Sequence, residues 1–228
     1  MPLNNPGGWF SRLVLRAPFL AIIFVFLALG SAGAAETVRV PIPPGESPPK
    51  GWKVQEWRGK ADVGVVKTQF GNAIHMKSAG TSSAVYKDLP IDLKEFPNLN
   101  WRWKVTRVPK GADVRNKSTD DQAAQVYVVF LKWPVPVNSK LVGYIWDSSA
   151  PEGLMVRSPK TKNTRYVVVK SGATGLGDWF QEKRNVYEDY KALFNEEPPK
   201  AGRVSIMIDS DDTKSAAESF VSDIYFSK

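Results

Sequence analysis

Three groups of acidic residues could carry acid–base chemistry or bind a cation. The groups are Asp120 with Asp121, Glu188 with Asp189, and Asp209 with Asp211 and Asp212. Polysaccharide hydrolases use two carboxyl groups that face each other across a cleft, about 5 to 10 Å apart. A carboxylate pair drawn from the first two groups and Asp209 is therefore a candidate catalytic site. The alternative is that the first pair lies in a solvated loop or forms a salt bridge with Arg102 or Arg184.

The third group could bind calcium, because carboxylate and loop carbonyl oxygens are the ligands that this ion prefers. It does not follow the EF-hand pattern, since Lys214 stands where the turn glycine is required and Phe220 where the bidentate glutamate belongs. The alternative is a turn at a strand end, in which the Asp side chains accept nearby backbone N–H groups. We expect the turn and therefore no cofactor, with calcium at Asp209, Asp211 and Asp212 as the only metal considered.

Other catalytic chemistries find little support in the composition. His75 is the only histidine and the chain has no cysteine. A Ser-His-Asp triad would have to use His75, which lies among strand residues, so we expect a surface histidine. One histidine and no thiolate also make a zinc site implausible.

Aromatic and basic residues offer a second kind of site, for binding rather than catalysis. Tyr144 and Trp146 share one face of a predicted strand beside a loop, where they could stack on sugar rings. The alternative for such residues is an ordinary sandwich core. The predicted ligand-binding residues are Arg102, Asp120, Asp121, Tyr144, Trp146 and Arg184.

Period-two alternation predicts that these residues are carried by β-strands. Residues 101–105 and 123–130 indicate two neighbouring strands, joined by a connection that carries Asp120 and Asp121. Trp101, Trp103 and Val105 share a face that we expect to be buried. Residues 126–130 are apolar on both faces, which predicts a central strand. Similar short runs continue to residue 226, separated by turn residues, which is typical of an antiparallel β-sandwich of jelly-roll type.

One segment breaks the strand pattern and predicts a short helix before the last two strands. Val186, Tyr190, Leu193 and Phe194 recur at helical spacing. Asn185 and the residue three positions after it form a plausible capping pair, and residues 196–199 (EEPP) end the helix. The fold class that we expect is therefore mainly all-β, with one inserted helix.

The first 35 residues have the pattern of a signal peptide. Arg12 and Arg16 precede an apolar run that is shorter than the roughly 20 residues needed to span a bilayer, and small residues follow it. We expect cleavage after Ala34 or Ala35 and export to the periplasm or the medium. The predicted organisation is a signal peptide (1–35), a Pro-rich leader (36–51) along the domain or acting as a spacer, and one β-sandwich domain (52–228).

The formal net charge of +8 is spread along the chain without a basic run. Nucleic acid is therefore not an expected partner. Weak attraction to anionic polysaccharide or lipid head groups is compatible with this charge. Beyond that, we expect contact with a membrane only through the transient signal peptide, and the sequence does not indicate an oligomeric state.

Several segments together resemble a bacterial exported family known only as a domain of unknown function, the one numbered 3047. The resemblance runs from about residue 48 to the C-terminus. It is carried by residues 101–105, 120–121, 126–130, 144–146, 184–186, 189–190, 206–211, 213 and 223–224. Asp212 departs from the pattern, which prefers Asn there, and makes this loop more acidic. The resemblance implies export and no established activity. The strand pattern is also similar to galactose-binding-like jelly rolls, which concerns the fold alone.

The leading functional hypothesis is a non-catalytic envelope protein that binds a glycan or another polar envelope component. The alternatives are a polysaccharide hydrolase that uses the carboxylate pair and an assembly or scaffold protein of the envelope. The separation of the carboxyl groups distinguishes the first two, and an exposed apolar patch would favour the third.

Overall fold

The computed structural model describes residues 1–3 and 36–228. Nearly all of the predicted signal peptide, residues 1–35, therefore lies outside the described residues, and its cleavage stays a prediction. Residues 36–228 form one compact unit. Within the described part of the chain, no helix is long and apolar enough to cross a membrane.

Short strands dominate the described residues. The strands are β1 (Thr37–Arg39), β2 (Lys53–Arg58), β3 (Asp62–Thr68), β4 (Gly71–Ala79), β5 (Ser82–Ile91), β6 (Asn98–Arg107), β7 (Ala124–Phe130), β8 (Lys140–Asp147), β9 (Met155–Arg157), β10 (Thr164–Ser171), β11 (Phe180–Asn185), β12 (Ala201–Asp209) and β13 (Ala216–Ser227). Two α-helices accompany them in the described residues, α1 (Val135–Asn138) and α2 (Val186–Phe194), together with a short 3-10 helix (Lys117–Thr119).

The strands form two sheets, which confirms the predicted β-sandwich. One sheet has six strands in the order β11-β6-β13-β4-β3, with β1 also paired to β13, and the other has the order β2-β5-β12-β7-β8-β10-β9. Helix α2 precedes β12 and β13, as predicted. The sandwich is not wholly antiparallel, because β8 and β10 run parallel. The chain crosses between them through β9, which pairs with the far side of β10.

The core lies between the two sheets and confirms the predicted faces of β6. Trp101, Trp103 and Val105 are fully buried, and the two indole rings meet edge to face. The expectation that β6 and β7 are neighbouring strands is wrong, because β6 belongs to the six-stranded sheet and β7 to the seven-stranded one. The acidic connection between them therefore passes from one sheet to the other.

Strand β7 is the central strand of its sheet, as its sequence predicts, with β12 on one side and β8 on the other. Val126, Val128 and Phe130 face the main core. Tyr127 and Val129 face outward into a second, smaller hydrophobic cluster. Both faces of β7 are apolar because both are covered.

Two further segments agree with their sequence signals. The side chain of Asn185 accepts the backbone N–H of Glu188 at 3.0 Å and caps α2. The Pro-rich leader lies along the domain, since β1 pairs with β13 and the Trp52 indole donates to the carbonyl of Pro41 at 2.9 Å.

Candidate ligand-binding groove

A groove of about 880 Å³ lies on the outer face of the seven-stranded sheet. Its floor is made by outward-facing side chains of β5, β12, β7 and β10. The edge strand β2 borders it on one side, and residues 131–139 and 158–163 border it on the other. The sandwich thus forms the rigid support, and one edge strand and two connections supply the walls.

Trp57 stands at the rim of the groove because of a β-bulge in the edge strand. Glu56 pairs with Ser83 and Arg58 pairs with Ser82, which leaves Trp57 as the extra residue of β2. A bulge bends a strand and redirects a side chain. The Trp57 side chain is 60% exposed and lines the groove, so a large aromatic surface is available to a ligand.

Two tyrosine rings, Tyr127 and Tyr166, form part of the floor of the groove and pack over Gly143. Gly143 pairs with Tyr127 on one side and with Tyr166 on the other. A Cβ atom at Gly143 would lie 2.5 Å from the ring of Tyr127 and 3.0 Å from the ring of Tyr166. The absence of a side chain at Gly143 therefore leaves the space that both rings occupy.

Asp120 lies at one end of the groove and is nearly inaccessible, with 2% of its surface exposed. One carboxylate oxygen accepts the side-chain N–H of Gln122 at 2.8 Å. The other oxygen, Oδ2, has no hydrogen-bond partner in the described structure. Burial raises the pKa of Asp120 to about 6, against the opposing effects of Gln122 and the Lys160 ammonium. A buried oxygen without a partner is costly, so a ligand donor that reached Oδ2 through a small local shift would remove this cost.

Asp209 and Lys160 lie at the same end of the groove. Burial raises the pKa of Asp209 far above its usual value, and the neighbouring Asp211 and Asp121 add to this effect. Lys160 contacts the carboxylate of Asp212 and donates to the backbone carbonyl of Asp120 at 3.3 Å. The Lys160 ammonium thus partly neutralises the negative charge at this end of the groove.

Asp121 plays a structural role beside the groove. Its two oxygens accept the backbone N–H groups of Asp212 and Thr213, at 3.1 and 2.7 Å, and the Thr213 hydroxyl at 2.6 Å. These bonds fasten the β12–β13 turn to the connection before β7. The predicted solvated loop is therefore wrong, since Asp120 and Asp121 are both buried. The alternative salt bridge is wrong as well, because Arg102 pairs with Asp223 and Arg184 with Asp189.

The calcium ligands predicted from the sequence are only partly brought together. Asp121, Asp211 and Asp212 each place one oxygen within 4.8 Å of the others, whereas Asp209 is not in this group. Calcium takes about six to eight oxygen ligands. Asp121 already accepts three hydrogen bonds, and the Lys160 ammonium contacts Asp212. These residues by themselves do not form a calcium site.

The predicted catalytic partners Glu188 and Asp189 do not join the groove residues. Asp189 is buried and accepts the Arg184 guanidinium, with Nε at 3.0 Å, and the Tyr144 hydroxyl at 2.9 Å. Glu188 is exposed on α2, and neither side chain lines the groove. Of the predicted acidic set, the structure places Asp120, Asp209 and Asp211 in the groove.

The remaining predicted ligand-binding residues are also placed elsewhere, which corrects the expectation. Tyr144 and Trp146 are fully buried, and the Trp146 indole donates to the carbonyl of Gly172. Arg184 forms an ion pair with Asp189. Arg102 lies on the six-stranded sheet, stacked over Phe70. Because each face of β8 is covered, the aromatic residues there pack in the core and cannot stack on a sugar.

His75 is a structural residue of the six-stranded sheet. Its Nε2 lies 2.8 Å from a carboxylate oxygen of Glu218, and its ring stacks on Phe220. The predicted surface histidine is therefore partly covered, with 19% of its side chain exposed.

Residues that sequence reasoning missed define much of the groove. Trp57 lies in a strand with weak alternation, and all six residues of β2 are exposed. Arg203 covers the ring of Tyr86 at 3.9 Å, an arrangement that depends on the pairing of β5 with β12. The one usable signal was an isolated tryptophan among polar residues at 55–58.

Comparison with known proteins identifies a family without an assigned activity. The sequence pattern of the family described as "Protein of unknown function (DUF3047)" matches residues 50–225. Among curated proteins, none matches the chain.

Several solved structures are distantly similar to this chain. A family 11 carbohydrate-binding module of a Clostridium thermocellum cellulase is 9% identical, with 85% of this chain and 95% of that chain covered, and a TM-score of 0.46. A family 30 carbohydrate-binding module from the same organism is 12% identical (85% and 98% covered, TM-score 0.48). A family 11 xylanase from Neocallimastix patriciarum is 11% identical (86% and 97% covered, TM-score 0.39). At these identities the matches concern the fold and assign no ligand.

Proposed function

The chain belongs to the DUF3047 family of proteins of unknown function, and we propose that it is an exported, non-catalytic protein that binds a glycan in the groove. The observation that carries this proposal is the combination of an exposed Trp57 at the rim with a buried carboxylate oxygen of Asp120 that lacks a partner. Both line the same groove of about 880 Å³, a size suited to a small ligand.

A sugar ring presents an apolar face and a rim of hydroxyl groups. An exposed indole offers a flat surface against which the apolar face packs. The unpartnered Oδ2 of Asp120 accepts a hydroxyl donor, which removes the cost of leaving that oxygen unsatisfied. The two groups therefore match the two kinds of surface that a sugar offers.

Further polar groups line the groove between these two residues. Ser82 and Ser205 are outward-facing residues of β5 and β12 that line the floor, and Lys160 lies at the acidic end. Hydroxyl groups both donate and accept hydrogen bonds, as sugar hydroxyls do. These hydroxyl groups suit a hydroxyl-rich ligand, and the charged side chains of Arg58, Lys160 and Arg203 also line the groove.

The test compares two exposed tryptophans. Purified residues 36–228 are screened on a glycan array, and the affinity for a bound glycan is then measured by calorimetry for the variants Trp57→Ala and Trp133→Ala. Trp133 is 83% exposed but does not line the groove. We expect Trp57→Ala to weaken binding about fivefold to tenfold, the loss of an aromatic contact of roughly 1 kcal/mol, and Trp133→Ala to leave it unchanged.

Two results would overturn the proposal. One is the absence of binding to any glycan on the array or to cell-wall fractions. The other is an equal effect of both tryptophan variants, since that would place binding outside the groove.

A second candidate function is the hydrolysis of a polysaccharide, with Asp120 and Asp209 as the carboxyl pair. It is favoured by one observation, that both carboxyls line the groove and both have raised pKa values. When the surroundings of two carboxyl groups give them different pKa values, one can act as the general acid and the other as the general base. Release of reducing sugar by the protein, abolished in Asp120→Asn and Asp209→Asn, would favour hydrolysis over simple binding.

A further inference from the structure

Exposed apolar side chains of the domain are concentrated in one short segment between β7 and β8. Leu131, Trp133, Val135 and Val137 are all exposed, Trp133 by 83% and Val137 by 58%. We call residues 131–137 the apolar segment; Leu131, Val135 and Val137 also line the wall of the groove, so this surface adjoins the proposed glycan site. Single exposed apolar residues are common on proteins, but a contiguous group indicates an interaction surface.

A basic turn lies directly beside the apolar segment. The turn comprises residues 157–162 and lines a depression of about 360 Å³. The side-chain amide of Asn163 donates to the carbonyl of Val137 at 2.6 Å, and the N–H of Leu141 donates to the carbonyl of Asn163 at 3.0 Å. These bonds hold the basic turn and the apolar segment together as one surface.

The cations of this surface are not neutralised by the protein. Within residues 36–228, Lys160 pairs with Asp212, but Lys132, Arg157 and Lys162 have no acidic partner at ion-pair distance. Arg157 also lies directly opposite Arg165 across the β9–β10 pair. Like charges opposite each other destabilise a sheet, and an external anion would relieve the repulsion.

We propose that the apolar segment and the basic turn together dock on the surface of a bilayer that contains anionic phospholipid. Tryptophan and short aliphatic side chains enter the boundary between head groups and acyl chains, while lysine and arginine contact the phosphates. Residues 36–228 carry a formal charge of +6, which is the +8 of the whole chain without Arg12 and Arg16, and this charge adds long-range attraction to such a surface.

A bilayer fits this surface better than a folded protein does. A stable protein interface buries about 800 Å² on each partner. The apolar segment is a narrow ridge of four large side chains, with Pro134 and Pro136 between them. Such a ridge is small for a protein interface, but a bilayer binds through the insertion of a few side chains combined with several charges.

The test uses residues 36–228, so that the predicted signal peptide cannot bind the lipid. The main core of the described chain begins at Val40 and lies within these residues. Co-sedimentation is measured with vesicles of pure phosphatidylcholine and with vesicles in which about one third is phosphatidylglycerol, at roughly 0.1 M salt, where charges act over about 10 Å. We expect binding to the anionic vesicles only, with a decrease as salt is added.

Two pairs of variants separate the proposed surface from general attraction of a basic protein. Trp133→Ser and Lys162→Glu should each lower anionic-vesicle binding about fivefold to tenfold. The matched controls Trp57→Ala and Lys110→Glu should leave the binding to anionic vesicles unchanged. Lys110 is exposed and lies at the opposite end of β8, since the carbonyl of the preceding Pro109 accepts the Ser148 hydroxyl just after that strand ends.

The outcomes are decisive in both directions. Loss of binding in Trp133→Ser and Lys162→Glu alone supports the proposal. It is overturned if neither vesicle binds, if both vesicles bind equally, or if Lys110→Glu weakens binding as much as Lys162→Glu does, because the last result indicates unspecific adsorption.

Discussion

The ring of Tyr127 lies directly over Gly143, so closely that a Cβ atom there would be 2.5 Å from its Cε1 atom. Tyr127 is buried, and its hydroxyl donates to Gln125, so the ring cannot move aside easily. We predict that Gly143→Ala lowers the free energy of unfolding by about 1–3 kcal/mol, the usual cost of overpacking, as measured by urea unfolding. The same variant should weaken ligand binding, because Tyr127 forms the floor of the groove.

A second strand glycine provides the control for this prediction. A Cβ atom at Gly64 would meet no heavy atom within 4 Å. Gly64→Ala should therefore leave stability within about 0.5 kcal/mol of the parent. Equal losses in the two variants would contradict the packing explanation.

The stability of the protein should depend on pH through Asp120. Its pKa is raised by burial from 3.8 to about 6. Between about pH 4 and pH 6 the folded protein keeps a proton that the unfolded chain has released, so the free energy of unfolding falls as the pH rises through this interval. A shift of two units corresponds to about 3 kcal/mol.

Replacing Asp120 by Asn should remove this dependence. Asn keeps the oxygen that accepts from Gln122 but cannot ionise. The difference in unfolding free energy between Asp120→Asn and the parent should therefore rise by up to about 3 kcal/mol from pH 4 to pH 7. Denaturant titrations at several pH values check this, and a constant difference would refute the assigned burial effect.

Asp121 should contribute to stability rather than to binding. Its carboxylate accepts three hydrogen bonds from Asp212 and Thr213. Bonds to a charged group contribute about 1.5–3 kcal/mol each and are not additive. We predict that Asp121→Ala costs about 3 kcal/mol or more in thermal or urea unfolding. Asp178→Ala, at an exposed position, should change stability by less than about 0.5 kcal/mol.

Arg184 should also act on stability alone. Its guanidinium pairs with the buried carboxylate of Asp189, and about one third of its own side chain is exposed. Solvent screening reduces the contribution of the pair, so we expect Arg184→Ala to cost roughly 1–3 kcal/mol. The additional change Asp189→Asn should recover part of this loss, because it removes the unpaired charge. We expect both variants to keep the glycan affinity of the parent. A loss of affinity without a matching loss of stability would indicate that Arg184 belongs to the binding site.

The fold was largely predictable because burial leaves a periodic trace in the sequence. Trp101, Trp103 and Val105 alternate with polar residues, and the apolar run 126–130 marks a strand covered on both faces. The helix was predictable from its cap, since Asn185 accepts an N–H of its own first turn. These signals are local, so each strand or helix can be predicted from its own segment of the sequence.

The groove was much less predictable because it depends on pairings between distant segments. Asp120 and Asp209 line the same groove only because β12 pairs with β7. Tyr144 has the same residue type as a sugar-stacking tyrosine, and only its position between the sheets distinguishes the two roles. Trp57 becomes exposed through a bulge whose position is set by the register with β5.

The bulge at Trp57 has a consequence for how the protein behaves in a crowded solution. Strand β2 is an edge strand, and a straight edge offers unpaired N–H and C=O groups to the edge of another molecule. An extra residue breaks the regular spacing that an incoming strand would need. The bulge that exposes the Trp57 indole to a ligand therefore also disfavours edge-to-edge aggregation of the sheet.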